Sequence, residues 1–388
     1  MADALGFVLD VAGAFIPLGF AIADAIPDNR ASTIIQIMTG NGNKTHPLSN
    51  GGGNVPHVAI WDQDGNRLGQ VNPGKKAKID QNNDPKQGRI EVMYNQNGGG
   101  YVDPGYILLS QQENDAICIA SVQVSNGAIS STFYGDTGYS CGQSWFYSSR
   151  EFGDQLIMPK CVWLDGDHTN KINAKSISWH INDLVPTDDK IAMFNSNPDY
   201  LCKSTPRFSF WGDLLPDSLI PFFEPQLEYN RDAATGGQGA DVDPDRALDK
   251  KVYDKSVQMY LGGNAKREPE RERAATRPDV RPRNLKRRGN NHDPSHLVVS
   301  SKRGHSAREL CEHPNSYGWD FVSTTDGLYC DMETKRMYPV CDHPGGVTHT
   351  CFDVERRTLV GAGGINARGE ASAVGVPVKR YESHDHWQ

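Results

Sequence analysis

The chain lacks the cysteine spacing typical of structural zinc sites and the positive charge typical of a secretory leader. Its eight cysteines include no C-x-x-C pair, the spacing that folds around a structural zinc ion. The first 29 residues contain no Lys or Arg, whereas a secretory leader begins with positive charge. No clear helical periodicity links the strand-like runs between residues 31 and 228, which argues against alternating strands and helices. These absences restrict the architecture more than the activity.

Length and charge indicate two folded bodies joined by a linker. At 388 residues the chain can hold two domains, and its 39 glycines and 23 prolines favour turns over long helices. The net charge of −8 is uneven, because residues 230–308 carry 18 Lys and Arg against 11 Asp and Glu. Large apolar residues are almost absent after Leu261, so we expect residues 229–306 to be a disordered basic linker.

The first 30 residues form an apolar segment that Asp10, Pro17 and Asp24 interrupt. Two carboxylates make a membrane-spanning helix costly, and the missing positive charge argues against a signal peptide, although both stay open as alternatives. We expect a pair of helical pieces broken near Pro17. Such an apolar segment has to be covered by the next domain or by another copy of the chain.

Residues 31–228 show short β-type runs separated by Gly, Asn, Asp and Pro clusters, which is typical of an antiparallel β-sandwich. The predicted strands are 32–38, 55–61, 89–94, 106–110, 116–124, 129–134 and 176–181. The run from Asp62 to Asn66 favours a hairpin turn between HVAIW and RLGQV. A calcium loop is the alternative, but no glutamate occupies its twelfth position.

The cysteines fall into two groups of four on either side of the linker. They are Cys118, Cys141, Cys161 and Cys202, followed by Cys311, Cys330, Cys341 and Cys351. Paired cysteines favour disulfides and a secreted, cell-wall or secretory-pathway location, with an intracellular storage body as the alternative. Four cysteines allow three pairings, and we favour Cys141–Cys161 and Cys341–Cys351.

The second group marks a small disulfide-rich C-terminal domain over residues 307–388. Residues 327–341 have apolar residues on either side of a polar turn at 333–335, which predicts a hairpin. Few aliphatic residues are present, so cross-links have to compensate for a small core. Histidines flank these cysteines and leave zinc as an alternative, but we expect no metal and no cofactor.

One motif suggests catalysis, because residues 138–142 (GYSCG) match the G-x-S-x-G elbow of serine hydrolases. The following QSWFYSSREFG lacks the helical spacing that an elbow requires, so we expect no enzyme activity. A serine hydrolase using Ser140 is the first enzymatic alternative. Its partners would come from His168 or His180 with Asp165 or Asp167.

Other sites concern modification and processing. Asn43 lies in the one N-glycosylation sequon, within a Gly- and Asn-rich loop. Basic runs ending at Arg288 and Arg303 are interpreted as solvated linker, with cleavage by a dibasic-specific protease as the alternative. Nucleic-acid binding is disfavoured, because no aromatic residues alternate with the charge.

Four aromatic residues near turns and cysteines, Trp145, Phe146, Tyr147 and Trp163, are candidates for stacking against sugar rings. Core packing is the stronger interpretation for tryptophans beside disulfides. The aromatic set therefore supports only an alternative function, a secreted lectin-like module that binds carbohydrate.

Several runs resemble a largely uncharacterised group of cysteine-containing, β-rich proteins of filamentous fungi. They are ENDAICIASVQVSNG, YGDTGYSCGQSWFYS, PKCVWLDGDHTN, ISWHI and LCEHPNSYGWDFVSTTDGLYCDMETKRMYPVC, and they cover about residues 105–205 and 308–352. AIPDN before STIIQIMTGNG is similar to abundant sclerotial development-specific proteins of such fungi. The resemblance implies an abundant structural or storage protein, with no catalytic residues to transfer.

We therefore expect a non-enzymatic fungal structural or storage protein that self-associates into a homo-oligomer or larger assembly. The apolar N-terminal segment would supply the contact, because large apolar patches usually mark interaction sites.

Overall fold

The computed structural model describes most of the chain outside residues 218–294. The described residues are 2–9, 15–22, 31–40, 51–79, 86–168, 172–196, 199–202, 206–212, 214–215, 217, 295–341, 350–360 and 379–388. We call those up to residue 217 the β body and those from residue 295 the C-terminal unit. Strands dominate both, as the sequence predicted.

The strands lie in several sheets, and the helices are short. The strands are β1 (Ala2–Leu9), β2 (Phe15–Ile22), β3 (Ser32–Thr39), β4 (Gly53–Asn54), β5 (His57–Trp61), β6 (Arg67–Val71), β7 (Lys78–Ile79), β8 (Arg89–Met93), β9 (Tyr106–Ser110), β10 (Ile117–Ser125), β11 (Ser130–Tyr134), β12 (Trp145–Phe146), β13 (Cys161–Leu164), β14 (Ser176–His180), β15 (Phe208–Trp211), β16 (His296–Ser300), β17 (Asp320–Ser323), β18 (Leu328–Asp331), β19 (Arg336–Pro339), β20 (Cys351–Asp353), β21 (Thr358–Val360) and β22 (Ser383–Trp387). The helices are α1 (Gly135–Ser140), α2 (Asp188–Ser196), α3 (Asp199–Cys202) and α4 (Ala307–Glu312), with a 3-10 turn at Ile181–Leu184. No helix among the described residues is long and apolar enough to cross a membrane.

The largest sheet is organised around β10, every residue of which is buried. One edge of β10 pairs with β3, and the other edge pairs first with β13 and then with β11. The full order is β12-β13-β10-β11-β1-β2, with β3 joining β10 to β8. A strand that is covered on both faces has a nearly continuous run of apolar residues. The run ICIASV in β10 has this pattern, and the sequence therefore predicted a strand there.

The second sheet has the order β15-β14-β9-β5-β6 and is antiparallel throughout. Its residues alternate between two cores, as the two-residue period of a strand requires. Ile60, Ile107 and Ile177 join the main core, which also contains residues of the largest sheet. Trp61 and Tyr106 face a smaller cluster on the opposite side. The hairpin expected on either side of residues 62–66 is present as β5 and β6.

The N-terminal segment consists of two strands, so the expected pair of helical pieces is wrong. β1 and β2 form an antiparallel hairpin, and β1 also pairs in parallel with β11. Gly6 permits this contact, since a Cβ atom there would lie 2.2 Å from the carbonyl oxygen of Thr132. Phe7 and Val8 are buried in the main core. Residues 2–9 and 15–22 are therefore strands of the largest sheet, and Phe7, Val8 and Leu18 are covered by the same chain.

The C-terminal unit contains the sheet β19-β18-β17-β16-β22. Within this sheet β16 lies between β17 and β22 and pairs in parallel with both. β16 begins at His296, inside the range assigned from sequence to the linker, so the folded unit starts before residue 307. The hairpin predicted over residues 327–341 is present as β18 and β19.

All eight cysteines are paired, and the pairs are Cys118–Cys161, Cys141–Cys202, Cys311–Cys330 and Cys341–Cys351. The last pair is the expected one. The expected Cys141–Cys161 bond is not formed, because β10 and β13 are neighbours and bring Cys118 beside Cys161. Cys141 follows α1 and bonds instead to Cys202 at the end of α3.

The two cysteine groups belong to units that pack against each other. Trp145 of β12 forms a bridge with Ser316, and its backbone carbonyl accepts a hydrogen bond from the Tyr317 N–H at 2.9 Å. The Trp163 indole N–H donates to the Tyr317 carbonyl at 2.9 Å. One hydrophobic cluster includes residues of both units. We call this contact the seam.

Candidate functional site

A cavity of about 740 Å³ opens at the seam. Leu9 and Ile16 of the N-terminal hairpin and Ile157 and Met158 of a following loop form its apolar wall. Asp136, Tyr139, Tyr147, Lys160, His305 and Glu309 provide the polar groups. Its volume lies within the range of roughly 300–1,000 Å³ typical of small-molecule sites. We call it the seam cavity.

Asp136 is a buried acid in the first turn of α1, with only 3% of its surface exposed. One carboxylate oxygen is 3.5 Å from the Lys160 backbone N–H, and the other has no hydrogen-bond partner in the described part of the chain. Burial raises the pKa of Asp136 to about 6, against the opposing effect of the Lys160 ammonium. A buried carboxylate oxygen without a donor is costly, and such groups concentrate at functional sites.

A glycine brings α1 close to β13. A Cβ atom at Gly135 would lie 2.0 Å from the carbonyl oxygen of Lys160, so only a residue without a side chain fits there. The close approach places Asp136 beside the backbone of Lys160.

Lys160 lies among aromatic rings and acids. Its ammonium nitrogen is 4.3 Å from the ring centroid of Tyr139, 5.4 Å from that of Trp145 and 5.6 Å from that of Tyr147. The same nitrogen is 3.4 Å from a carboxylate oxygen of Glu309. Ring faces attract a cation, and a partly desolvated site strengthens this attraction.

Glu309, on α4, accepts a hydrogen bond from the hydroxyl of Tyr147. Burial and this carboxylate both raise the pKa of Tyr147 above its ordinary value. The pKa of Tyr139 is raised by burial and by the same carboxylate. Both tyrosines therefore keep their protons and act as hydrogen-bond donors.

His305 stacks on Tyr147 with ring centroids 4.5 Å apart, and its Nδ1 lies 2.8 Å from the Ser300 hydroxyl. Burial lowers the pKa of His305 to about 3, with help from the ammonium groups of Lys160 and Lys302. His305 is therefore a neutral part of the wall and carries no charge into the cavity.

The mouth of the cavity carries exposed charges. Lys302 pairs with Glu151 across the seam, and Arg303 beside it is exposed. Arg303 ends one of the two dibasic runs noted in the sequence. The other dibasic residue, Arg288, and the glycosylation candidate Asn43 lie outside the described residues.

The four aromatics considered for sugar stacking are all buried, namely Trp145, Phe146, Tyr147 and Trp163. Trp145 donates its indole N–H to His313 at 2.9 Å, and Phe146 packs edge-on against Trp319. Their faces thus pack inside the protein and offer no open platform, which corrects that assignment. Tyr147 alone among them lines the seam cavity.

The residues considered for hydrolase chemistry are placed apart from this cavity. Ser140 ends α1, whereas an elbow serine would stand between a strand and its helix. The His168 ring bonds to the Ile172 carbonyl at 2.9 Å. The His180 ring lies 3.1 Å from a buried carboxylate oxygen of Asp183.

The residues considered for a calcium loop and for a zinc site make other contacts in the structure. The Asp62 carboxylate accepts hydrogen bonds from the backbone N–H groups of Asp64 and Asn66 at 2.9 and 2.8 Å, which closes the hairpin turn. The second cysteine group is consumed in disulfides. Within the described ranges, no cluster of three or more His, Cys, Asp or Glu side chains could hold a metal ion.

The sequence alone does not single out Asp136, Lys160 or Glu309 as site residues. They lie at widely separated positions on α1, just before β13 and on α4. Two weak signals were present, since Asp136 precedes the GYSCG motif and Lys160 precedes a cysteine. Neither signal indicates a site, because the three residues come together only where the two units pack against each other.

Comparison with known proteins gives no match: no protein-family model, no curated protein and no solved structure is detectably similar to this chain. Its function therefore has to follow from the chemistry of its own residues.

Proposed function

We propose that this chain is a non-enzymatic, disulfide-stabilised protein that binds a small molecule in the seam cavity. The observation that carries the proposal is the seam cavity itself, which the buried acid Asp136 lines together with Lys160 and Glu309. A ligand group that donates to the Asp136 carboxylate would offset part of the cost of burying it.

The other polar groups of the cavity support binding over catalysis. The Lys160 ammonium faces Glu309, and the Tyr147 hydroxyl is engaged with the same carboxylate. His305 is held neutral, so it is poorly suited to exchange protons near neutral pH. The contacts of Tyr147 and His305 fix the walls of a site, and the charged groups of Asp136 and Lys160 are the ones that would meet a ligand.

Four disulfides are consistent with a secreted protein or with another oxidising compartment. The resemblance to filamentous-fungal proteins stays a prediction, and so does the storage role it implies. We further propose that the largest sheet and the second sheet, β15-β14-β9-β5-β6, form a sandwich. The hydrophobic core that they share supports this proposal.

The binding proposal is tested by ligand-observed NMR with a chemically mixed fragment library on the full chain. Gln155 is exposed at the cavity wall, so Gln155→Trp should obstruct the cavity without disturbing the core. Lys76→Trp, at an exposed position outside the cavity, is the matched control. We expect fragments that bind the wild type and Lys76→Trp and are lost in Gln155→Trp. Fragments that bind all three proteins equally, or none at all, would contradict the proposal.

A second candidate function is self-association, which one observation still favours. β2 is the last strand in its sheet, and among the described strands it pairs with β1 alone. Unpaired strand edges are templates for another chain. The contact would then be an edge strand and not the helical patch expected from sequence. A homo-oligomeric structural or storage protein would use this edge.

Sedimentation velocity over a range of concentrations tests this candidate. Pro17 supplies no backbone N–H to β2, so the pairing would involve the residues on either side of it. Self-association through the edge predicts a wild-type oligomer that dissociates into monomers on dilution. A monomeric wild type would remove this candidate.

A further inference from the structure

The seam cavity has a charge pattern that restricts its ligand, if the binding function proposed above holds. Three of its charged side chains are acids and three are bases, namely Asp136, Glu151, Glu309, Lys160, Lys302 and Arg303. Two contacts already join opposite charges, Lys160 with Glu309 and Lys302 with Glu151. A ligand with a net charge would unbalance this set in a partly buried site, which is unfavourable. The pattern favours a neutral ligand.

The charged groups around the Asp136 carboxylate narrow the ligand class further. A cationic group at Asp136 would meet the Lys160 ammonium, which acts on the same carboxylate. An anionic group at Lys160 would meet Asp136 and Glu309. A hydroxyl avoids both conflicts, because it donates one hydrogen bond and also accepts.

We propose that the ligand of the seam cavity is a neutral polyhydroxylated molecule, such as a monosaccharide, disaccharide or sugar alcohol. Asp136 accepts a hydrogen bond from one hydroxyl, and Lys160 donates to a neighbouring hydroxyl oxygen. An acid and an ammonium that line the same cavity match two hydroxyls, one of which serves as donor and the other as acceptor.

The remaining walls fit the other surface of such a molecule. The aliphatic side chains of Leu9, Ile16, Ile157 and Met158 can cover its C–H groups. Ring stacking contributes little, since Lys160 lies over the face of Tyr139 and His305 stacks on Tyr147. Recognition therefore depends on hydrogen bonds at Asp136 and Lys160. This differs from stacking on the four buried aromatics, which the sequence had suggested.

Titration calorimetry on the full chain at neutral pH tests the ligand class. The neutral probes are glucose, mannose, galactose, N-acetylglucosamine, trehalose, cellobiose and mannitol. The charged probes are glucosamine, glucuronate and spermidine. We expect at least one neutral probe to bind, and its charged analogue to bind about tenfold more weakly or not at all.

Substitutions then locate the binding. Asp136→Ala and Lys160→Met should each lower the affinity for the neutral probe by about tenfold or more, because each removes a charge-assisted hydrogen bond to the ligand. Lys160→Arg keeps a donor and should retain part of the affinity. Asp115→Asn changes an acid paired with Lys78 outside the cavity and should leave the affinity unchanged. Thermal unfolding of each variant shows whether it is folded.

The outcomes separate this inference from the binding function on which it rests. If fragments bind in the cavity but no neutral polyhydroxyl compound does, the ligand class is wrong and the binding function stands. Tighter binding of a charged probe overturns the class in the same way. Equal binding of the neutral probe by Asp136→Ala and the wild type overturns the assignment of the site. If no fragment and no sugar binds, both proposals fail.

Discussion

The hydroxyl of Tyr147 donates a hydrogen bond to the carboxylate of Glu309 across the seam between the two folded units. Tyr147 directly follows β12 in the β body, whereas Glu309 lies on α4 of the C-terminal unit. The other oxygen of Glu309 is 3.4 Å from the Lys160 ammonium. One carboxylate thus joins two side chains of the β body to the C-terminal unit, and the seam cavity is formed around it.

Tyr147→Phe removes the hydroxyl and keeps the ring that stacks on His305. We expect a loss of about 1–3 kcal/mol in the free energy of unfolding, because the partly buried Glu309 carboxylate loses a charge-assisted hydrogen bond. Guanidinium unfolding measures the change. Tyr338→Phe removes a hydroxyl away from the cavity and serves as the control, which should stay within about 0.5 kcal/mol of the wild type. Equal effects of the two substitutions would contradict a special role for the Tyr147 contact.

Asp136→Asn should stabilise the protein at neutral pH. Burial raises the pKa of Asp136 from 3.8 to about 6, so the folded protein retains a proton that the unfolded chain releases. Stability therefore falls as pH rises between these two values, by about 3 kcal/mol in all. The asparagine variant does not pay this cost above pH 6 and should match the wild type more closely near pH 4.

Chemical unfolding at a series of pH values checks this dependence. Asp115→Asn, at a half-exposed ion pair, is the control and should show no such gain. A variant that is less stable than the wild type at pH 7, or a difference that does not change with pH, would contradict the account of Asp136.

His305 predicts a pH dependence of the opposite sign. Its pKa is lowered from 6.5 to about 3 by burial, so below pH 6.5 the unfolded chain takes up a proton that the folded protein refuses. Stability is therefore lost as pH falls from 6.5 towards 3. His305→Gln should lose less stability than the wild type between pH 7 and pH 5. His168→Gln is the control, and an identical acid response of all three proteins would disprove the prediction.

The disulfide between Cys118 and Cys161 should contribute strongly to stability. It closes a loop with a sequence separation of 43, for which the chain-entropy relation gives about 4 kcal/mol. The double variant Cys118→Ala/Cys161→Ala should lose an amount of this order in chemical unfolding. Peptide mapping without reduction should recover Cys118 linked to Cys161 and Cys141 linked to Cys202. Recovery of a Cys141–Cys161 peptide would contradict the structure and restore the pairing expected from sequence.

Deletion of residues 1–27 should destabilise the fold. The deletion removes Phe7, Val8 and Leu18 from the core and uncovers the edge of β11. Each buried side chain is worth about 1.5–3 kcal/mol, so we expect a loss of several kcal/mol or failure to fold. Circular dichroism during urea unfolding measures it, with deletion of the exposed Gln388 as the control. A truncated protein with an unchanged midpoint would mean that the hairpin is a detachable segment, as the sequence suggested.

The sequence identified elements whose signal is local. Residues 106–110 were predicted and observed as a strand, and 89–94 was observed as Arg89–Met93, because β-branched and aromatic residues there stand between clear turn residues. The N-terminal segment escaped recognition because its partner β11 lies more than 100 residues further along the chain. An apolar run without that partner is compatible with helix or strand.

The candidate site could not be predicted for a related reason. Tyr147 was named for its ring, but its role depends on Glu309, which lies 162 positions further along the chain. The disulfide pairs, too, could be predicted only where the two cysteines are close in sequence. Cys341 and Cys351 are close in sequence and were paired correctly, whereas Cys118 meets Cys161 only because β10 and β13 are adjacent.

Methyl NMR of the full chain tests the central claim most directly, because the cavity wall carries its own reporters. Leu9, Ile16, Leu156, Ile157 and Met158 line the seam cavity, while Leu108 lies in the separate core of the second sheet. The account predicts that a neutral sugar or another small polar compound shifts several of the cavity methyls in a saturable way and leaves Leu108 unchanged. If no compound shifts the cavity methyls, or if Leu108 shifts equally, the seam cavity is not a binding site.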